Sequence, residues 1–553
     1  MARSLWLFLF AANIYAQSGC SNAQVWTPCD LTFDLQPGED PARADLSAQF
    51  QSPKHNTYLI HAFHASPSQL VLRFAATEEG TWHYLLQSTL TRLQGQQLQL
   101  TVADANAPGY VQAANVHHFK TSNGQPHLWM ATAIDRFTDI PRSEFDKQLA
   151  ARADEKFTHL RVTLDPKADL VEAAERVRAI HSRGIVSDIV FNSLPEDHAA
   201  RERFVSDAVA RLGAFNVTWC GAPALEDIPH ARSALRELGL LLIKYDGYDH
   251  PRTTLAKSTS GPFLGDGWMN LAAYGTADPN IGAVEHQLYQ TPAICTGIRT
   301  RQDLWNATMN GQYPASGSGQ FMKAWAEFMA DNRYWELEPY FDVDGGRAIA
   351  LEGIMPDDDE PSGIEYIVYI EKPGPIEVGV IKHRYDVSWM DPATGEVIKG
   401  KEFSGTRFTG VAPDSSHDWV LHISREGTKK SMLKSVRFTS REIPVQVVEM
   451  DPKKTPFDVG QPSGPDLSLS IPGFYELKIT RPARATRLLL LEWTGEVTAD
   501  GEGYRVIGAG EHGTLQVPSG LAKQYPALLN IHVNVMNAFG KVYGLDKVYT
   551  LRP

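Results

Sequence analysis

Acidic side chains recur just past strand-like runs of this sequence, as Asp135, Asp165, Glu196-Asp197 and Glu226-Asp227. Two carboxylates held close together can divide the roles of general acid and of general base or nucleophile. Glu226 and Asp227, just beyond the fourth such run, are therefore the candidate catalytic residues. Asp135 and Asn192 are candidate binding residues, with Asp165 beside them, and Trp219, Trp268 and Tyr274 offer flat rings for stacking. His286 has the chemistry of a general base. Cys220 and Cys295 have that of nucleophiles, although neither has a His placed to form a Cys–His pair. Each group also has a plainer reading. Acidic pairs at helix starts stabilise the helix dipole by about 0.3–1 kcal/mol. Asp165 and Asn192 suit turns, while the aromatic rings and thiols suit a core. No paired CxxC, HExxH or GxSxG pattern is present, so no metal and no cofactor is expected.

Those residues need elements to hold them. From about Val25 to Ala105 short β runs dominate: Leu31–Leu35, Thr57–Ile60, Leu70–Phe74 and Trp82–Leu86, separated by Gly, Pro and Asn as in a sandwich. After about residue 109 strands and helices alternate. Leu128–Ala131, Leu160–Leu164, Ile185–Phe191 and Phe215–Trp219 read as strands, with later ones at Met269–Ala273 and Pro292–Cys295. Ser143 is the expected cap of the first helix. Asp169 is that of the second, whose Leu170, Ala174, Val177 and Ile180 recur at helical spacing before Gly184. Strand starts about 30 residues apart point to repeated βα units, hence a (β/α)8 barrel, with a doubly wound sheet as the alternative. No glycine-rich phosphate loop follows any strand. Beyond residue 338 β character returns in Tyr366–Ile370 and Tyr385–Trp389, with a turn at Asp391–Gly395. Pro456–Pro465 reads as a linker or long loop, and Ile531–Val535 with Val542–Gly544 as a hairpin about Asn537–Gly540.

The 553 residues carry 52 Lys and Arg against 65 Asp and Glu, a net charge of −13, which argues against a nucleic-acid partner. A hydrophobic share of 43% is that of folded domains. Arg3 followed by Leu5–Ala12 and the small Ala16 reads as a signal peptide over 1–16, so the expected location is secreted or periplasmic. That apolar run falls short of the roughly 20 residues of a membrane span. Cys20 has Gln17 where a lipid-attachment motif places Leu, so no lipid anchor is expected there. In an oxidising compartment Cys20 and Cys29 can pair. Asn216-Val217-Thr218 and Asn306-Ala307-Thr308 are glycosylation sequons for a eukaryotic source.

Arg73-Phe74-Ala75-Ala76-Thr77-Glu78-Glu79-Gly80-Thr81-Trp82-His83-Tyr84 resembles the signature of the β-sandwich known as domain of unknown function 5060. His118-Phe119, Asn123-Gly124, Pro126 and Trp129 resemble the start of the apiosidase-like glycoside hydrolase barrel (domain of unknown function 4038) that often follows it. Tyr245-Asp246-Gly247-Tyr248-Asp249-His250-Pro251 is similar to that family's approach to strand five. Trp335–Pro339, Arg347–Leu351, Glu365–Ile370 and Tyr385–Val397 resemble the collagen-binding-type β domain that closes such proteins. The resemblance implies a multidomain α/β plus all-β chain: an Ig-like β-sandwich over 24–106, a barrel over 109–337 and a small β-sandwich over 338–426. A sandwich-like unit over 430–553 lies outside it.

The resemblance also implies carbohydrate or polysaccharide as the partner, with a catalytic Glu at the ends of strands four and seven. The carboxylates of such a pair lie about 5–5.5 Å apart in retaining enzymes and farther apart in inverting ones. Here the fourth strand ends Trp219-Cys220-Gly221-Ala222-Pro223 and the seventh Cys295-Thr296-Gly297-Ile298. The family's Gly-Asp-Thr-Ala-Trp at strand one becomes Met130-Ala131-Thr132-Ala133-Ile134. The expected function is non-catalytic carbohydrate binding. The alternative is a glycosidase using relocated carboxylates such as Glu226 or Asp227.

Overall fold

The computed structural model describes residues 20–228, 231–353 and 362–425, and beyond them strand backbone at intervals from Val448 to Leu551. The expected leader over 1–16 and the Pro456–Pro465 stretch lie outside the described residues.

The first β region forms two sheets. One orders Ala23–Gln24, Gln97–Ala103, Gly80–Ser88, Leu46–Gln51 and Thr57–His61; the other orders Cys29–Asp34, Gln69–Phe74 and Phe63–Ser66. In Leu46–Gln51 the period-two pleat sends Leu46, Ala48 and Phe50 inward and their neighbours outward. Phe50 stacks on Phe74 at 3.9 Å between centroids, beside buried Leu31, Leu72 and Trp82. Cys20 and Cys29 form a disulfide with their Cα atoms 5.3 Å apart.

Eight short strands then follow in chain order, all parallel within two ladders. Ala131–Ala133, His159–Leu164, Val186–Phe191, Val217–Cys220 and Arg252–Thr253 form the first; Ala272–Tyr274, Ala293–Cys295 and Tyr313–Pro314 form the second. Helices Arg142–Asp154, Leu170–His181, His198–Leu212 and Ala231–Tyr245 follow strands one to four. Pro279–Leu288, Arg301–Met309 and Gln320–Ala330 follow strands six to eight, and a 3-10 turn at Gly261–Asp266 follows strand five. Asp169 caps the second helix as expected, accepting from the amides of Val171 and Glu172. Ser143 does not cap the first. That helix starts behind Pro141, whose φ of −56° already suits a first turn, and this leaves Ser143 inside it. The strand expected over Met269–Ala273 begins only at Ala272, because Asn270 is tied to strand five through both its amide and its Oδ1.

Alternation divides the strand side chains between two faces. Leu160, Val162, Leu164, Ile189, Phe191, Val217 and Trp219 pack against Val177, Val205, Leu235 and Leu242 of the helices. Asp188, Val190 and Cys220 fall on the opposite face.

Two docks join this region to its neighbours. Arg73 grips Asp30 with two bonds of 2.8 and 2.9 Å and donates to the carbonyl of Arg211. Arg211 donates back to the carbonyl of His64, while the Tyr248 hydroxyl accepts from the amide of Ala75 at 2.8 Å. On the other side, Arg301 of the sixth helix pairs with Asp418, and Arg347 donates to Asn306. Arg347 belongs to, and Asp418 directly precedes a strand of, a sheet that contains Glu338–Tyr340, Arg347–Gly353, Ser362–Ile370, Pro375–Met390, Phe403–Val411 and Trp419–Arg425. Among the last strands, Ala527–Met536 pairs antiparallel with Val542–Leu551 and closes at Met536↔Val542, the hairpin expected there.

Candidate functional site

The C-terminal ends of parallel strands are where βα architectures place their chemistry, because the loops there converge and the strand bodies hold them rigid. The fourth strand ends in Gly221 and the seventh is followed by Gly297. A Cβ on Gly297 would lie 2.4 Å from the carbonyl oxygen of Gly275 and 2.9 Å from Cα of Thr276. On Gly221 it would meet Leu235 Cδ2 at 2.9 Å and Thr254 at 3.2 Å. Gly275, after strand six, is tighter still, with the carbonyl of Ala256 at 2.1 Å. At Gly275 and Gly297 the neighbouring backbone leaves no room for a side chain, whereas at Gly221 the nearest atoms belong to the side chains of Leu235 and Thr254.

Glu226 and Asp227 stand on the same end, in a 3-10 turn over Leu225–Asp227, and both are exposed. The Glu226 carboxylate accepts from the amide of Lys257 at 2.8 and 3.0 Å and from that of Ser258 at 3.0 Å. Asp227 pairs with the Lys257 ammonium. The pair thus fastens the loop after strand five to the loop after strand four. Asp165 accepts from Asn192 Nδ2 at 3.0 Å and Ser193 Oγ at 2.9 Å, which brings the ends of strands two and three together. Asp135 is exposed beyond strand one. Asp197, Asp278 and Asp303 accept from backbone amides at helix starts, and exposed Glu196 precedes the first of these caps.

The three aromatic candidates lie elsewhere. Trp219 is fully buried in the strand–helix layer, where its Nε1 donates to Asp246 Oδ2 at 3.0 Å. Trp268 packs flat against the fourth helix at Gly239, where a Cβ would come within 2.3 Å of the indole. Tyr274 faces the fifth helix beside Gly282 and Glu285. Cys220 and Cys295 are buried free thiols. Burial raises both, Cys220 well above its ordinary value with a further push from Asp188, and Cys295 up to about 12. Neither is a thiolate at neutral pH. His286 sits at the end where the strands begin, donating to Glu338, and is remote in the fold from the loops above.

The buried polar groups among the parallel strands were not anticipated. His159 Nδ1 donates to Asp188 at 2.8 Å, and His159 Nε2 then accepts from His127 at 2.8 Å, with Trp129 stacked on His159 at 3.6 Å. Burial and the adjacent His159 hold His127 well below the usual histidine range. The signal was an acidic residue inside the apolar run Ile185–Phe191, since a buried strand carries Asp only with a partner. Both sequon asparagines are also engaged: Asn216 bonds Val111 and Gly109, and Asn306 bonds Glu371 and Arg347. A cleft of about 690 Å³ opens at the opposite end, between Val116, Met269, Asn270 and Tyr289.

Residues 22–89 match the family model for a domain of unknown function, DUF5060. No curated protein matches the chain. A crystal structure of a candidate glycoside hydrolase from Bacteroides vulgatus ATCC 8482 is similar, with a TM-score of 0.60 at 16% identity, over 73% of this chain and 99% of that one. A family 5 glycoside hydrolase from the same organism gives 0.47 at 14% identity, over 58% and 95%. A family 39 glycoside hydrolase from Bacteroides cellulosilyticus WH2 gives 0.37 at 12%, over 72% and 96%. By its likeness to the first of these, the chain has a glycoside hydrolase-like fold.

Proposed function

We propose that this protein is a secreted member of the glycoside hydrolase-like group that binds polysaccharide without cleaving it, its eight parallel strands closing as a (β/α)8 barrel. The observation that carries the reading is that the chain after strands four and seven runs Gly221-Ala222-Pro223 and Thr296-Gly297-Ile298, with no carboxylate in either. Glu226 and Asp227 are spent on Lys257 and Ser258. The likeness of His118–Trp129 to the apiosidase-like barrel and of the later sheet to the collagen-binding-type domain supports the same order of modules. The short apolar leader and the Cys20–Cys29 disulfide support export, and that bond also removes Cys20 from lipid attachment. No helix among the described residues is long and apolar enough to cross a membrane. Asp135, Asp165 and Asn192 supply exposed or half-exposed acceptors and donors suited to sugar hydroxyls.

The test is a glycan array run beside a polysaccharide hydrolysis panel on the mature chain. Binding without release of reducing ends is expected. Asp135→Ala and Asn192→Ala should each weaken binding about tenfold, the worth of roughly one hydrogen bond. Release of reducing ends that disappears in Glu226→Gln would establish the relocated-carboxylate alternative. Silence on the array would refute carbohydrate binding.

A further inference from the structure

Three separated parts of the chain bring imidazoles and a carboxylate together where the parallel strands begin. His117 lies in the turn before strand His118–Thr121, His286 in the last turn of helix Pro279–Leu288, and Glu338 at the start of strand Glu338–Tyr340. One donor atom from each lies within 4.8 Å of the other two. Glu338 Oε2 is 3.1 Å from His117 Nδ1 and 2.6 Å from His286 Nε2.

The tautomer of His117 is fixed by its other side. Its Nε2 lies 3.0 Å from the carbonyl oxygen of Tyr289, which can only accept, so Nε2 carries the hydrogen. A neutral His117 then turns the lone pair of Nδ1 towards the Glu338 carboxylate, a contact between two acceptors. A cation must lie between them, either a proton on the ring or a metal ion. The His117 and His286 rings lie 3.8 Å apart, close enough for one metal ion to take a lone pair from each beside the Glu338 carboxylate. His118 stands beside the cluster, its Nδ1 2.7 Å from the Tyr313 hydroxyl and its Nε2 3.4 Å from Glu338 Oε1.

We infer that His117, His286 and Glu338 form a divalent-metal site of the zinc type, joining the parallel-strand region to the β sheet that follows it. Two imidazoles and one carboxylate are a zinc donor set, which leaves the fourth position to water. The Tyr289 carbonyl is the outer partner that orients the His117 imidazole. Gly311 keeps the space for the His286 ring: a Cβ there would lie 2.5 Å from Cε1, and its φ is +74°.

The test uses the untagged mature chain, stripped with a chelator and titrated with Zn²⁺ or Co²⁺. One ion per chain is expected, with the visible bands of tetrahedral cobalt. The melting temperature should rise by about 5–10 °C at an ion concentration about 100 times Kd. Glu338→Gln and His286→Asn should weaken binding more than about 100-fold. Should the ligand variants fail to fold, the stoichiometry and cobalt spectrum of the wild-type chain still decide. Absence of tetrahedral bands, or affinity unchanged in the variants, would overturn the assignment.

Discussion

Asp246 is the buried carboxylate on which most depends, and its replacement by Asn tests the reasoning about how this fold is held. The side chain is fully buried and accepts from Trp219 Nε1 at 3.0 Å, the amide of His250 at 2.8 Å, the amide of Tyr248 at 3.2 Å and His250 Nδ1 at 3.0 Å. An Asn keeps one oxygen and turns an NH₂ group towards donors. At least two charge-assisted bonds are lost, each worth about 1.5–3 kcal/mol. The expected cost is about 3–5 kcal/mol, in line with breaking a buried pair. For a unit of this size each kcal/mol moves the melting point by about 2–4 °C, so Asp246→Asn should melt about 10 °C lower at pH 7 by scanning calorimetry. Burial alone would raise the Asp246 carboxyl, but the His250 ring and the amides outweigh it and hold it below its ordinary 3.8. A carboxyl depressed in the folded state contributes fully above its unfolded value, and that contribution fades as the pH falls through the folded one. The wild-type advantage over Asp246→Asn should therefore be constant above about pH 5 and shrink below about pH 4. A variant that melts within about 2 °C of wild type at pH 7, or a gap that widens in acid, would refute this account.

Three further outcomes follow from the packing. Tyr248→Phe leaves the buried amide of Ala75 without its acceptor, and should cost about 1–3 kcal/mol in calorimetry while leaving the isolated sandwich signature in circular dichroism unchanged. Gly239→Ala drives a methyl into the Trp268 ring at 2.3 Å; despite Ala being the better helix former, it should destabilise by about 1–3 kcal/mol, and a stabilised variant would contradict the packing. Cys220 and Cys295 should give no reaction with a thiol reagent in the native chain at pH 8 and two thiols in denaturant. A fast-reacting native thiol would reopen thiol chemistry at the strand ends.

Much of this architecture is legible in residue patterns, for reasons that also mark where legibility stops. Runs such as Leu70–Phe74 and Ile185–Phe191 announce themselves because four or more strand residues must satisfy a burial pattern, and Asp169 announces a helix because its carboxylate has amides to accept. Arg252–Thr253 and Tyr313–Pro314 are two residues long, too short for any period to show. Leu46–Gln51 alternates cleanly yet follows an acidic, Pro-containing turn that masked its start. The absence of a carboxylate from Gly221-Ala222-Pro223 and Thr296-Gly297-Ile298 is legible in the residues, whereas the backbone contact between Gly297 and Gly275 is not. Trp219, Trp268 and Tyr274 have the right type for stacking, and only their orientation removes them to the helix layer. His117 and Glu338 are 221 residues apart, and nothing local in either announces the other.

The two ends of the parallel strands are unequal in what they are asked to do. Arg73, Arg211, Tyr248 and Asp246, with the partners that make them costly to alter, cluster towards the end where strands begin and towards the neighbouring sheets. The opposite end is fastened mainly by exposed loop contacts such as Glu226 to Lys257. Changes there are cheap in stability, which means the loops of that end can be exchanged while the chain continues to fold.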